Sequence, residues 1–296
     1  KQRGWLKSVT RDQILDCAPC KPPAFDGIEK WHHPKTLKEL CQIRKFIQTQ
    51  SDSATAQFLL VAFSAILTMT TGRRGKQHGF FADNTPLPRG QTSPAYEDAL
   101  ELLVDKLRKN LAVIERFYSF IERSGRDAEA ELNRAKVVKA DATRSTPQDY
   151  GIGENTLPAI ITSPPYLCMS DYSLGQRLSY YWLFPDELNT DHQNEIGARR
   201  KRFCAERALS NYLAQLEKFG ELTARLLRPG GFVAMVLGAP VAKSFASANV
   251  LAKVDEVLGK NGLSVLWSKW RPIHWHRNHG YARLKEERIA VYVFGK

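Results

Sequence analysis

Ala159-Ile160-Ile161-Thr162-Ser163-Pro164-Pro165-Tyr166 is the stretch on which the reading of this 296-residue chain turns. The short apolar run predicts a buried strand, and it ends in a hydroxyl, two prolines and an aromatic ring. Neither proline can donate a backbone hydrogen bond and both hold φ fixed, so the ladder stops before them. Past the strand the chain must be a rigid, extended loop with its carbonyls held outward. In an open α/β sheet, ligands bind at the carboxyl ends of strands. An ordinary strand followed by a proline turn explains Pro-Pro by itself. The whole Ser-Pro-Pro-Tyr string is rarer.

Downstream of this stretch, helical periodicity runs through Leu209, Tyr212, Leu213, Leu216, Phe219 and Leu226 and stops at Arg228-Pro229-Gly230-Gly231. Phe232–Leu237 is a continuous apolar run, the pattern of a strand covered on both faces. Val250–Leu258 predicts a helix, and Leu263–Trp270 and Arg288–Phe294 two closing strands joined by a long polar loop. Upstream, Val137-Val138-Lys139-Ala140-Asp141 predicts a short strand ending in an acid. Before it the pattern is helical, first at Leu37, Leu40, Ile43 and Ile47, then over Phe58–Met69. The clearest stripe comes last, with Leu100, Leu103, Val104, Leu107, Leu111, Ile114, Tyr118 and Ile121 at three- and four-residue spacing. The expected division is a mainly helical part, 1–135, and an α/β part, 136–296.

Composition narrows the class. Hydrophobic residues at 43% suffice for a packed core, and 43 Lys and Arg against 31 acidic residues leave a net charge of +12. That excess favours a polyanionic partner. The five cysteines are irregularly spaced, which points to a reducing compartment. The longest apolar run, Phe58–Met69, is too short to span a bilayer. Cys17-x-x-Cys20 with adjacent His32 and His33 lacks the spacing and second pair of a zinc site, so no metal is expected.

Ser163-Pro164-Pro165-Tyr166 resembles the catalytic motif of the DNA amino-methyltransferases, which methylate the exocyclic nitrogen of cytosine or adenine. The strand pattern over about 136–296 is similar to the C-terminal part of a class I, Rossmann-like methyltransferase sheet, here partial and preceded by a helical insertion. Pro22-Pro23-Ala24-Phe25-Asp26-Gly27 looks like the start of the insertion that, in one group of these enzymes, comes after the cofactor-binding half. The resemblance implies S-adenosyl-L-methionine (AdoMet) as cofactor, with Asp141, Ala142 and Ser163 on its side of the site. It implies Ser163, Pro164, Pro165 and Tyr166 as the catalytic loop.

That chemistry suits the residues. The target base must leave the duplex, because its amino group faces its pairing partner. The amino lone pair is conjugated into the ring. Fixed acceptors for its two N–H groups, Ser163 Oγ and the Pro164 carbonyl, would localise it by alignment and charge placement. Tyr166 would stack on the flipped base, worth about 1–3 kcal/mol by analogy with other base–aromatic stacks. Asp171, Tyr172, Arg177, Tyr180, Tyr181 and Trp182 come where the family places residues near the base. Arg199, Arg200, Lys201 and Arg202 form a single-sign cluster read as a phosphate contact. Arg277, in a loop with Arg271, His274, His276, Asn278 and His279, is a further candidate, as are Arg73, Arg74, Lys76, His78 and Arg89.

The family's Phe-x-Gly-x-Gly cofactor turn occurs nowhere in the chain. Together with an opening that is not Met, this sets the expectation of a fragment, or of one half of a split enzyme whose missing N-terminal segment or partner chain carries the glycine motif. The expected partner is double-stranded DNA and the expected place the cytoplasm, at the nucleoid. Serine at the head of the motif leans to cytosine N4, with adenine N6 as the other base. An RNA or protein-glutamine N-methyltransferase and a noncatalytic nucleic-acid-binding subunit remain as alternatives.

Overall fold

A computed structural model describes residues 11–71, 90–240, 243–245, 248–273 and 284–295. The chain divides into two compact units, Lys1–Ala135 with Ser173–Gln193, and Lys136–Tyr172 with Asn194–Lys296. Residues 173–193, which the sequence assigned to the α/β part, therefore fold with the helical one.

The helical unit is built on α1 (Pro34–Gln48), α2 (Ser53–Leu67) and α3 (Ala99–Arg123), with α4 (Arg177–Leu183) from the later segment. Side-chain caps start α2 and α3: Asp52 accepts from the Thr55 amide and Asp98 from the Glu101 amide, both at 2.9 Å. Leu40, Ile43 and Ile47 of α1 meet Leu59, Phe63 and Ile66 of α2, Leu100, Leu103 and Leu107 of α3, and Trp182 of α4 in one buried cluster. Trp182 is fully enclosed, edge-on to Phe63 with ring centres 5.6 Å apart. The buried Glu39 carboxylate is satisfied by the Tyr96 hydroxyl at 2.8 Å and the Ala99 amide at 2.9 Å. His32 is also buried, its Nδ1 facing the Thr70 carbonyl at 3.2 Å, and burial pushes its pKa down to about 4, so it is neutral. Among the described residues, no group of three or more His, Cys, Asp or Glu side chains is placed to hold a metal ion, and no helix is long and apolar enough to cross a membrane.

The second unit is mixed α/β. Its sheet has the order β1 (Leu157–Thr162), β2 (Leu227–Leu237), β4 (Glu286–Phe294), β3 (Leu263–Pro272). β1 and β2 are parallel; β4 runs antiparallel to both β2 and β3. The parallel pair needs a crossover, which α5 (Ala205–Leu226) supplies. At its end the Pro229-Gly230-Gly231 run is accommodated as a bulge, because Leu157 pairs with Leu227 but Ala159 already pairs with Phe232. Gly230 sits at φ +74°, and a Cβ on Gly231 would lie 2.8 Å from the Arg228 carbonyl. Glycine is required at both positions.

Strand register sorts the apolar side chains onto two faces. Val233, Met235 and Leu237 of β2, with Ala290 and Tyr292 of β4, are buried against Tyr212 and Leu216 of α5 and Val254 and Leu258 of α6 (Val250–Gly259). The other face carries Ile161, paired with Ala234, together with Phe232, Val291 and Trp267. Ile161 is 82% exposed and Trp267 49%. The sheet is thus packed on one side and open over much of the other.

The strand expected at Val137–Asp141 does not form. The segment has no assigned strand, and Val137 is 99% exposed. A strand exists only when a neighbour takes up its amides and carbonyls, and among the described residues β1, the adjacent edge, pairs with β2 alone. Valine propensity does not replace that ladder.

This one-sided packing makes a stability prediction. Met235→Ala, at a fully buried position, should cost about 2–5 kcal/mol in denaturant unfolding of the chain. Ile161→Ala, two residues before the loop, should stay within about 0.5 kcal/mol. Equal losses would mean that both faces are packed.

Candidate active site

β1 delivers the chain to Ser163 at its carboxyl end, beside the last residues of β2. Ser163 is exposed, its Oγ 3.5 Å from the Val236 carbonyl, too long for a strong bond. Pro164, Pro165 and Tyr166 are half-buried. The loop has no ladder, so side chains from elsewhere hold it. From α5, the buried Tyr212 hydroxyl donates to the Pro165 carbonyl at 3.0 Å. Burial raises the Tyr212 pKa, so its hydroxyl stays a donor.

Tyr166 is fixed more tightly. Its hydroxyl donates to Glu287 Oε2 on β4 at 2.6 Å, and Arg271 Nε on β3 donates to Glu287 Oε1 at 2.7 Å. Arg271 and Glu287 face each other directly across the β3–β4 ladder. Burial first, then the bond to Glu287, pushes the Tyr166 pKa up to about 12. The ring lies on Gly238, just past β2: a Cβ there would come within 2.6 Å of the ring and 2.3 Å of Leu284. Gly238 is the residue that lets the ring approach the strand end this closely.

Beyond the ring the chain turns back sharply. Cys168 adopts φ +57°, and its amide donates to the Gly197 carbonyl at 2.7 Å. Cys168 is buried, which raises its thiol pKa and makes it a packing residue rather than a nucleophile. This turn brings the basic run 199–202, a 3₁₀ segment with Phe203, behind the loop. Arg200 is engaged there by Asp171 at 3.1 Å and Glu195 at 2.8 Å. Lys201 Nζ donates to the Glu195 carbonyl at 3.3 Å, and Arg202 to the Arg199 carbonyl at 3.2 Å. The Arg202 guanidinium also lies 4.4 Å from the centre of the Phe203 ring, which is 81% exposed. So the run is not four equivalent surface charges.

The remaining assignments separate. Asp141 opens a turn, accepting from the Thr143 amide at 2.9 Å and its hydroxyl at 2.7 Å, with Arg144 at 3.6 Å. Burial would raise its pKa, but those bonds and Arg144 outweigh it and hold the carboxyl below the usual range. Asp141 and Ala142 come after no strand. Trp182, expected near the base, is a core residue of the helical unit. Tyr181 stacks on Phe25 at 4.3 Å, and the Tyr180 hydroxyl donates to Asp191 at 2.7 Å. Arg277 and its neighbours His274, His276, Asn278 and His279 lie outside the described residues, as do Arg73, Arg74, Lys76, His78 and Arg89. Sequence reading missed Glu287, Gly238 and the role of Tyr212. The one trace was Glu286-Glu287, a pair of acids opening the strand.

No protein-family model matches the chain, and no curated protein does. Among solved structures it is similar to three crystal structures of a proposed DNA modification methylase of Thermus thermophilus. The selenomethionine form is 15% identical with a TM-score of 0.32, covering 53% of this chain and 51% of that one. Another is 19% identical with a TM-score of 0.30, covering 53% and 52%. The third, that protein complexed with S-adenosyl-L-methionine, is 18% identical with a TM-score of 0.31, also covering 53% and 52%. The chain thus spans about half the length of these structures, and a likeness this slight leaves the function to be argued from the site itself.

Proposed function

We propose that this chain is the catalytic-loop part of an AdoMet-dependent DNA amino-methyltransferase with a partial class I, Rossmann-like sheet, acting on cytosine N4 in preference to adenine N6. The observation that carries the reading is the Ser163–Tyr166 loop. Two oxygen acceptors, the exposed Ser163 Oγ and the Pro164 carbonyl, stand at the carboxyl end of a parallel strand beside a clamped aromatic ring. An exocyclic amino group carries two N–H donors, so two neighbouring acceptors match it. Hydrogen bonds to both draw the nitrogen lone pair out of conjugation and aim it. Tyr166 offers the flipped base a stacking surface. None of these groups needs a proton-transfer pKa. The base enters as the amine and the chain's residues need only align it, while AdoMet, when bound, would supply the methyl group and leave as the neutral thioether, the methylated nitrogen giving up one proton to solvent.

The chain's own residues fit one end of that cofactor. Ser163 can serve the methyl end, but Asp141 spends its carboxylate on Thr143 and Arg144 in a turn unsupported by a strand. No glycine turn is present for the ribose and methionine. A segment or partner chain carrying a Phe-x-Gly-x-Gly turn completes the proposal. The free edge of β1 is the place where its strands would continue the sheet. The duplex would be met by Arg199, Lys201 and Arg202, with Arg200 holding the segment together.

Two measurements test this. With duplex DNA and the completed enzyme, Ser163→Ala and Tyr166→Ala should each lower methyl transfer by about 10²-fold or more while the fold survives. A folded Tyr166→Ala protein with normal turnover would remove the loop from the active site. Isothermal titration of AdoMet into the 296 residues alone should show weak binding or none, and supplying the glycine-turn half should restore binding and activity together. Micromolar affinity in the isolated chain would contradict the division of the site.

A further inference from the structure

Phe203 ends the basic 3₁₀ segment Arg199–Phe203, and its ring is 81% exposed. An exposed phenylalanine alone says little; this one differs in how it is held. Its segment is pinned to the residues that follow Tyr166. The Cys168 amide donates to the Gly197 carbonyl at 2.7 Å, the Arg199 amide to the Ser170 carbonyl at 3.0 Å, and the Arg200 amide to Asp171 Oδ1 at 3.0 Å. Gly197, at φ +63°, packs so near the loop that a Cβ there would lie 3.3 Å from the Tyr166 carbonyl oxygen. Phe203 is six residues beyond Gly197, so at most about 20 Å of chain separates the ring from the loop. The Arg202 guanidinium lies over one face of the ring, 4.4 Å from its centre, and donates to the Arg199 carbonyl at 3.2 Å. One face is backed by a cation, and at this exposure the other is open to solvent.

Charge and shape together select a ligand. Arg199, Lys201 and Arg202 on the segment favour a phosphodiester, and an open aromatic face beside a cation favours a nucleobase. In a duplex only an unstacked base has a face to offer. Extruding the target base leaves one other base unpaired, its former partner on the opposite strand. A ring inserted into the gap would need both faces free for the neighbouring pairs, and Phe203 has one. We propose that Phe203, backed by Arg202, is the platform on which the base opposite the extruded target stacks. The proposal rests on the amino-methyltransferase reading, because only an enzyme that extrudes a base creates that unpaired partner. Phe203 touches no reacting atom; it stabilises the opened duplex against the closed one.

Equilibrium binding of the full-length enzyme to duplex carrying the motif it marks tests this, beside the same duplex with an abasic site opposite the target. Phe203→Ala should weaken binding of the intact duplex about tenfold, the size of one lost base–aromatic stack, with the salt slope unchanged. Arg199→Ala should instead lower that slope by about one. On the abasic duplex the unaltered enzyme and Phe203→Ala should bind alike, since no base is left to stack. Phe203→Trp, which keeps a π-face, should recover the affinity for intact duplex. Equal binding of intact duplex by the unaltered enzyme and Phe203→Ala overturns the proposal, including the case where the variant loses only its hold on the glycine-turn half. A tenfold loss that persists on the abasic duplex overturns it too, because the ring then meets DNA elsewhere. If Phe203→Ala fails to fold, Phe203→Leu replaces it: leucine keeps apolar bulk without a π-face, and full affinity in that variant is equally fatal. Ser163→Ala separates the two levels. Full activity there removes the loop assignment itself, whereas an inactive Ser163→Ala beside a Phe203→Ala of normal affinity removes only the stacking role.

Discussion

The bond from the Tyr166 hydroxyl to Glu287 joins a loop that has no ladder to the inner antiparallel strand of the sheet. Pro164 and Pro165 forbid continued pairing after β1, so the backbone alone does not fix the loop. Position comes instead from two tyrosine hydroxyls, Tyr166 reaching forward to β4 and Tyr212 reaching up from α5 to the Pro165 carbonyl. The packed face of the sheet, with Met235, Tyr292 and the two helices, supplies the rigid base for both. Without that base the loop would have no defined position, and on the proposed reading alignment is what the chemistry asks of a protein.

The same economy explains the neighbouring charges. A run of four cations after the Ser163–Tyr166 loop in sequence invites a single reading as a DNA contact. Yet Asp171 and Glu195 draw Arg200 inward, where its ion pairs brace the turn that returns the chain from Tyr166. Partly enclosed pairs of this kind are strongly felt when one partner is removed. Arg202, lying over an exposed phenylalanine, presents a flat cation beside an aromatic ring, a combination suited to a nucleic-acid surface. Position in the fold, more than charge in the sequence, divides structural from recognition roles.

Much of the second unit was legible because its elements carry local signals. Apolar runs of strand length, the periodic helix ending at Pro229-Gly230-Gly231, and the Ser-Pro-Pro-Tyr string all speak within a few residues of themselves. What failed to read depends on distance. Val137-Val138 has strand propensity, but a strand also needs a neighbour, and no local pattern announces whether one will pair with it. Asp141 looked like the acid at a strand end and is the first residue of a turn. Glu287 lies 121 residues from Tyr166 in sequence, so only the closed sheet brings them together. Trp182 resembled a substrate-facing aromatic because of its place after the motif, whereas its ring is claimed by Phe63 and the helical core.

The central claim is that the Ser163–Tyr166 loop directs methyl transfer to an exocyclic amino group of DNA. The most direct measurement compares modified bases genome-wide in cells carrying the intact full-length gene and in cells carrying it with Ser163→Ala, at matched protein levels. The account predicts N4-methylcytosine, or in its second form N6-methyladenine, at one sequence motif, and loss of that mark alone in the variant. An amino-methylation pattern identical in the two strains would contradict it.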